Sequence, residues 1–551
     1  MPQDRLPLFG NESVGSPTNT LYASEFINVY FEAHRDPVLQ EQTVWCVKRN
    51  GTGTSKTLTS QANGVVVRHY SSEFATTSED WLFTNSNVTY NNTVTSLGDT
   101  DGKAKNAYAA NSLINGVGCL AWVDDTNARG WFLFQDATMN SIFTGSLLSG
   151  GFTISNITDT TGMYIGQKIS GTGIPSNARI DEVISSSQIA STLTLTSAGV
   201  QSIQHEAVAR IIDSNFPSGT ATDIEVLDGY FFASSTDGNI YQSQLNDPSD
   251  WRLANVIAAD YEGDKIKVMF KNGQYLVVAG TMGTVQHFYN AGNSIGSVLS
   301  RATHLDINWL KIVSKPIQHS TGMYVLAETG TGSGQSTSAT NLGLYRISGV
   351  NNYTKVSPPQ YDRILAAGQH HTLGTVSWGG QTKVLIIICG SINRPVLYDP
   401  ELNLFSSFII DGAPLISSSV NLIFTTVTVE ALLGWNAAGA NYRDYTTGSY
   451  PAQIMLPAWD GGTMNEKTIH AVVLIADTEA SGTASLEWSD NDGATWNAAR
   501  SIDMTVQFKV VFNCGTTRRR IFRLSHSANT PFRGRSLEIH YSVNNTLAGV
   551  T

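Results

Sequence analysis

The sequence predicts an all-β protein built around a β-propeller of about six blades. Runs of β-branched and aromatic residues, separated by Gly, Asn, Asp and Ser, recur along the whole chain. Apolar residues at helical spacing are nearly absent. Strand-rich segments start near residues 228, 272, 321 and 381. Their spacing of about 40 to 60 residues is typical of propeller blades.

Each predicted unit has an apolar strand, a polar turn and a second strand with an aromatic residue. The six predicted strand pairs are 80–83 with 88–90, 130–134 with 141–143, 229–232 with 239–241, 273–278 with 285–288, 322–326 with 342–345, and 384–388 with 395–398. Self-similarity among the units is weak. A stack of β-sandwich domains is therefore an alternative architecture.

The chain divides into four predicted parts. These are an N-terminal part of the propeller (1–145), an inserted small β module (146–212), the remainder of the propeller (213–461) and a β-sandwich-like, antiparallel closing segment (462–551). The module is recognised because it interrupts the rhythm of the units. Its Gly-x-Gly at 171–173 is followed by no helix pattern, and a phosphate loop needs a helix N-terminus, so no nucleotide site is predicted.

Composition argues against several functional classes. Only 14% of residues are charged and the net charge is −11, whereas a general duplex-DNA binder needs a basic surface. No run reaches the ~18 apolar residues of a membrane helix, and the first residues lack a signal-peptide pattern. Cys46, Cys119, Cys389 and Cys514 lie far apart. We expect buried thiols and no zinc site.

One motif has a tempting functional interpretation. Residues 489–496 match the Asp-box turn of sialidase propellers, with Asn491 in the Asp position. In such a turn, side-chain oxygens bind backbone N–H groups, Gly493 takes a positive φ and Trp496 packs beneath. The turn is structural and lies outside active sites. We therefore predict a turn here and no enzyme.

No metal or cofactor is predicted. His370 and His371 are adjacent, and neighbouring residues of a strand point to opposite faces, so they cannot bind one metal together. The acidic turn at 490–493 lacks the Glu that a calcium loop has at its twelfth position, where this chain has Ser501.

The sharpest charge feature is the basic run Arg518, Arg519, Arg520 and Arg523. Residues 500–551 carry eight Lys and Arg against two acidic residues. One interpretation is a solvated strand edge that charge protects from aggregation. The other is a contact with an acidic neighbouring subunit or with DNA phosphate in a channel, and the acidic chain favours the subunit.

Three regions together resemble the packaged-DNA stabilisation, or tail accessory, proteins of short-tailed bacteriophages. At the N-terminus these are Leu6-Pro-Leu and the Phe-Ile-Asn-Val-Tyr-Phe-Glu of residues 26–32. In the middle, the turns of residues 237–251 and the strands leading to Phe-Tyr-Asn at 288–290 are similar to blade segments of that family. At the end, the Ser/Asp-Gly turn and the Arg-rich strand resemble its closing segment.

The resemblance implies a structural virion protein, made in the bacterial cytoplasm and located in the tail. It implies a homohexameric ring below the portal that binds the head–tail adaptor and carries tailspikes, fibres or a needle. Such a ring retains packaged DNA and lines the ejection channel, with double-stranded DNA passing without sequence specificity. No small-molecule substrate is expected.

Two alternatives remain open. A receptor-binding or glycan-degrading tail protein would have a carboxylate-lined groove and would often be a trimer. A bacterial surface propeller that binds carbohydrate would need an export signal.

Overall fold

The computed structural model describes most of the chain. The described ranges are 3–8, 25–27, 29–35, 42–48, 55–57, 68–71, 80–83, 87–90, 96–99, 110–114, 116–124, 126–134, 142–259, 263–329, 342–366, 370–378, 381–389, 396–407, 441–443, 451–528 and 530–544. Within them the protein is nearly all β, with several separate sheets, none of which closes on itself. This confirms the all-β prediction.

The N-terminal part supplies nine strands. The first five are β1 (Gln3–Pro7), β2 (Glu25–Ile27), β3 (Val29–Arg35), β4 (Gln42–Lys48) and β5 (Ser55–Thr57). The next four form an antiparallel sheet in chain order, here called unit 1: β6 (Arg68–Ser71), β7 (Asp80–Phe83), β8 (Asn87–Tyr90) and β9 (Ser96–Asp99). The predicted pairing of 80–83 with 88–90 is confirmed.

Unit 2 contains the inserted module. Its strands are β10 (Ala110–Ile114), β11 (Val117–Val123), β12 (Gly130–Phe134), β13 (Ile142–Leu147), β14 (Thr153–Ser155), β15 (Gln167–Gly171), β16 (Ile180–Ser185), β17 (Gln188–Ser191) and β18 (Gly199–Arg210). The predicted pair 130–134 with 141–143 is wrong, because both strands pair with β18. The end of β18 lies beside β12 and its beginning lies beside β13. The module and the rest of unit 2 therefore share this one strand.

Units 3 and 4 are four-stranded meanders. Unit 3 is β19 (Ala221–Leu227), β20 (Tyr230–Ser235), β21 (Asn239–Gln244) and β22 (Asp247–Ala258), and unit 4 is β23 (Ile266–Asn272), β24 (Tyr275–Gly280), β25 (Val285–Asn290) and β26 (Leu299–Arg301). Asp228 and Gly229 join β19 to β20 with φ values of 51° and 81°. Positive φ at both positions of a two-residue loop matches the twist of a hairpin, and Asp-Gly adopts it readily.

Unit 5 follows a short 3-10 turn, Thr303–Leu305. It comprises β27 (Leu310–Ile312), β28 (Ile317–His319), β29 (Gly322–Thr329), β30 (Leu342–Ser348) and β31 (Asn352–Lys355). Helix α1 (Pro359–Ala366) leads to unit 6, β32 (His370–Trp378), β33 (Gln381–Cys389), β34 (Val396–Asp399) and β35 (Leu404–Ser407). The predicted strand pairs in units 3 to 6 are confirmed.

The remaining strands form a unit with the N-terminus. They are β36 (Asn441–Arg443), which pairs with β5, then β37 (Ala452–Met455), β38 (Lys467–Ala476), β39 (Thr483–Ser489), β40 (Arg500–Asp503), β41 (Lys509–Thr517), β42 (Ile521–His526) and β43 (Arg533–Val543). One sheet runs β3-β4-β43-β38-β41, with β1 also beside β43. The other runs β2-β37-β42-β39-β40 and continues into unit 6 through β35.

We call strands β1–β4 and β37–β43 the terminal unit. One hydrophobic core joins its two sheets and includes Phe31, Leu486 and Ile539. Strands β1–β4, which the sequence analysis placed in the propeller, therefore pair and pack with the C-terminal strands. The antiparallel sheets predicted for the closing segment are present.

Hydrophobic cores also join successive units. One core contains Trp131 of unit 2 and Phe231 of unit 3, and the next contains Phe232 of unit 3 and Phe288 of unit 4. Two further cores join unit 4 to unit 5 and unit 5 to unit 6. Each sheet from unit 3 to unit 5 is thus covered by apolar side chains on both faces. The number of blades and the domain boundaries at 145, 212 and 461 stay predictions.

Candidate contact site on the arginine-rich strand

The predicted turn at 489–496 connects β39 to β40 and has the hydrogen bonds expected of it. The Gly493 N–H donates to Ser489 Oγ at 2.8 Å, and the Thr495 N–H donates to Asn491 Oδ1 at 2.9 Å. Gly493 has a φ of 83°. The structural role predicted for this motif is confirmed.

Arg520 fastens this turn to the neighbouring strands. Its buried guanidinium donates from Nε and Nη2 to the Asp490 carboxylate at 2.6 and 2.7 Å. Nη1 donates to the Cys514 carbonyl, and the guanidinium carbon lies 5.1 Å from the Trp488 ring centroid. A two-point contact of this kind holds the carboxylate in one orientation. Arg520 is therefore committed to contacts within the chain.

Arg523, which lies on β42, has a similar role. Its Nε donates to Glu487 Oε2 at 2.8 Å, directly across from it on β39. Its guanidinium carbon lies 4.0 Å from the Trp496 ring centroid, which is a stacking distance. The side chain thus packs the aromatic end of the turn against β42.

Arg518 and Arg519 lie closer to solvent. Arg518 is exposed, and Arg519 is partly exposed with its Nη1 3.9 Å from Asp492. Exposed pairs at this distance contribute little to stability. Of the four arginines proposed from the sequence as a contact, Arg518 and Arg519 are the two whose side chains are most exposed to solvent. The contact itself stays a prediction.

A second cluster of charges joins three units in the interior. Lys315, in the segment between β27 and β28, places Nζ 3.0 Å from Asp223 Oδ1 and 3.3 Å from Glu225 Oε2, both on β19. The other Asp223 oxygen accepts the N–H of Met269 on β23 at 2.7 Å. Burial raises the pKa of Asp223 to about 6, although the nearby Lys315 charge opposes the shift.

A third cluster lies in the terminal unit. Lys48 Nζ is 3.3 Å from His526 Nδ1, and the other ring nitrogen of His526 is 3.1 Å from the Glu479 carboxylate. Burial lowers the pKa of Lys48 to about 8, and Glu479 partly opposes the shift. Burial likewise lowers the pKa of His526. Sequence analysis missed this cluster because Lys48 is more than 400 residues from Glu479 and His526, and the three share no spacing pattern.

Other predicted features have the following outcomes. Cys46, Cys119 and Cys514 are buried free thiols, as predicted, and burial raises the pKa of Cys514. The side chains of Cys389, His370 and His371 lie outside the described residues. Among the side chains that are described, no group of three His, Cys, Asp or Glu residues could hold a metal ion. No helix in the described part of the chain is long and apolar enough to cross a membrane.

No family model matches the chain, and no curated protein matches it. Among solved structures, the phage phi92 endosialidase is 9% identical with a TM-score of 0.26, covering 95% of this chain and 74% of that one. The WD40 domain of Toxoplasma gondii coronin is 8% identical with a TM-score of 0.24, covering 95% and 89%. At such low TM-scores neither likeness decides a fold family or an activity.

Proposed function

We propose that this protein is a structural subunit of a short bacteriophage tail, in which units 1 to 6 form the blades of a β-propeller. The observation that carries the proposal is the packing of successive antiparallel sheets, from unit 2 to unit 6, through shared cores. The cluster of Asp223, Glu225 and Lys315, with the N–H of Met269, supports it, since β19 and β23 are the first strands of their units and Lys315 lies three residues after β27. First strands converge on the axis of a propeller.

In this proposal the subunits assemble into a ring below the portal and adaptor. Rigid wedges that make head-to-tail contacts close into a ring when the rotation between neighbouring subunits divides a full turn into a whole number of steps. A hexamer is proposed from the family resemblance given above. The net charge of −11 would let DNA pass without adhering to the wall.

The partners proposed are other copies of the chain, the head–tail adaptor and the tailspike, fibre or needle proteins. The terminal unit is the proposed attachment region, because the exposed Arg518 lies on it. No catalytic reaction is assigned to the chain, and its location is proposed to be the virion tail.

Cryo-electron microscopy of virions that contain the chain tests this proposal. A sixfold ring around the tail channel, with density for the six units and the terminal unit, is the expected result. A threefold density at the tail periphery would contradict it. That result would favour a receptor-binding or glycan-degrading protein.

A charge reversal tests the contact surface separately. Arg518→Glu is expected to lower the amount of the chain incorporated into tails, because it places a negative charge where an acidic neighbour is proposed. Lys271→Glu is the matched control, since Lys271 is also exposed but lies on unit 4. Quantitative immunoblotting of purified particles measures both. Equal incorporation of the two variants would remove Arg518 from the contact.

A further inference from the structure

The outward face of the β38–β41 sheet carries an apolar strip. On the β41 side, Phe508 and Phe512 are 76% and 60% exposed, and Val510 lies between them on the same face. The opposite face of β41 contributes Val511 to the buried core. Alternation along the strand therefore places the two aromatic rings outside the molecule's own core.

The strip continues onto the neighbouring strand. Val510 is opposite Val473, which is partly exposed, and Phe512 is opposite Ala471, which is only 8% exposed, so β38 continues the apolar row beside the rings. We call Phe508, Val510, Phe512, Ala471 and Val473 the outer strip. Single exposed apolar side chains are normal on a protein surface, but a contiguous group marks an interaction site.

The next strand of the same face is polar. On β43 the positions opposite Val473 and Ala471 are Glu538 and His540. Glu538 in turn is 3.7 Å from Arg5 on β1, so its charge is paired within the chain. The outer strip thus has a defined polar border on one side, as protein interfaces do.

The other border of the outer strip is basic. Exposed Arg500 donates from Nη2 to the Phe512 carbonyl at 3.4 Å, so its charge lies next to the backbone of the outer strip. Residues 500–551 contain eight basic residues against two acidic ones, whereas the rest of the chain has 26 against 43. An apolar surface with a basic border is complementary to the remainder of the same chain.

We propose that the outer strip is an interface between copies of this chain, with Phe508 and Phe512 of one copy packed against a second copy and Arg500 at the rim facing the acidic surface of that copy. This inference deepens the proposed ring, on which it rests, by assigning one of its contact surfaces. The two faces of the contact differ in charge, so the contact is head-to-tail. The aromatic rings supply the apolar centre and Arg500 supplies charge complementarity at the rim.

The double variant Phe508→Ser/Phe512→Ser tests the interface in the full-length protein. Sedimentation velocity over a concentration series measures self-association of the unchanged chain and of the variant. We expect the variant to associate about tenfold or more weakly, since central aromatic residues dominate interfaces. Leu253→Ser is the matched control, because Leu253 is 74% exposed on unit 3. It is expected to associate as the unchanged chain does.

Arg500→Glu is the second variant, in case the double variant folds poorly. It leaves both rings in place and reverses the charge at the border, so self-association should weaken and lose its dependence on salt concentration. Self-association that is unaffected in both variants, or an unchanged chain that stays monomeric at every concentration, would overturn the inference. Sixfold rings in virions carrying the double variant would overturn only the interface, whereas peripheral threefold density would also remove the proposed function.

Discussion

Units 1 to 6 and the terminal unit consist of similar antiparallel strands but differ in how far apart their partners lie in the chain. In unit 3, Leu227 pairs with Tyr230 across a two-residue turn. In the terminal unit, Leu6 pairs with Leu537. Local pairs close short loops, whereas pairing the chain ends closes a loop of almost the whole chain, at a higher cost in loop-closure entropy. The terminal unit therefore depends on long-range contacts, whereas the strand pairs within unit 3 are local.

The largest expected effect comes from a substitution in the core that packs the two sheets of the terminal unit together. Phe31→Ala should cost about 3–5 kcal/mol, because the side chain is 1% exposed in the core that joins the two sheets. Hydrogen exchange should show lost protection in the distant strands β38 and β43. Phe232→Ala, in the core between units 3 and 4, is the comparison and should open those units first. If the Phe31 variant lost protection from hydrogen exchange only in β3 and β4, that result would contradict the shared core.

The second prediction concerns the turn of the terminal unit. Arg520→Gln should lower the free energy of unfolding by about 1.5–3 kcal/mol, because it removes a charged donor from Asp490 and the Cys514 carbonyl. Arg518→Gln, on the exposed neighbour, should leave stability unchanged within about 0.5 kcal/mol. Urea unfolding followed by tryptophan fluorescence measures both. Equal stability of the two variants would show that Arg520 does not hold the turn.

The third prediction uses the interior charges of units 3 to 5. Burial raises the pKa of Asp223 to about 6, above the ordinary value of 3.8. Between these pH values the folded state binds more protons than the unfolded state, so stability falls as pH rises from about 4 to 6. The contribution is on the order of 1–2 kcal/mol. Asp223→Asn should flatten this slope in thermal unfolding at pH 4 to 6, and an unchanged slope would contradict the assignment.

The terminal unit should respond to pH in the opposite direction. Burial lowers the pKa of Lys48 to about 8, below the ordinary 10.5. Between these values the folded state binds fewer protons than the unfolded state, so stability gains from Lys48 as pH rises from about 8 to 10. The difference in Tm between the unchanged chain and Lys48→Gln measures it. A constant difference across that range would show that Lys48 keeps its ordinary pKa.

The smallest effect tests the backbone of the turn. Gly493→Ala should cost about 1 kcal/mol, because Gly493 has a φ of 83° and an L-residue is strained there. No neighbouring atom lies closer than 3.9 Å to an added Cβ, so the cost comes from the backbone alone. Ala494→Gly is the control, and equal stability of the two variants would contradict a backbone origin. Differential scanning calorimetry measures the change.

Local patterns explain which parts of the fold could be predicted from the sequence. The pairs in units 3 to 6 were predictable because each is a pair of apolar runs that follow one another in the chain with a polar segment between them. The 130–134 pair failed because β12 pairs with β18, the last strand of the 146–212 module, which is far from β12 in the chain. The joining of β1 to β43 leaves no local signal, since strand periodicity says which face is buried but not which strand is adjacent.

The same limit applies to the candidate site. The basic run was visible as a composition bias, yet sequence could not separate Arg518, which is exposed, from Arg520, which is buried against Asp490. The turn at 489–496 was predictable in detail because all its hydrogen bonds are local. The apolar row of Val510 and Val473 needed the register of two strands that are separated in the chain.

Strand β18 has a consequence for how this chain can be altered. Because one continuous strand belongs both to the module and to unit 2, the module has no flexible tether there, and its direction follows that of β18. A transplant or deletion made at the predicted boundaries, 146 and 212, would cut β13 and remove β18, the strand beside β12 in unit 2. A graft that preserves the sheet must instead cut within β18, keeping the residues that face β12. If such modules are exchanged between proteins, the boundaries of the exchanged segment would lie within a strand. A search for boundaries in loops alone would then miss them.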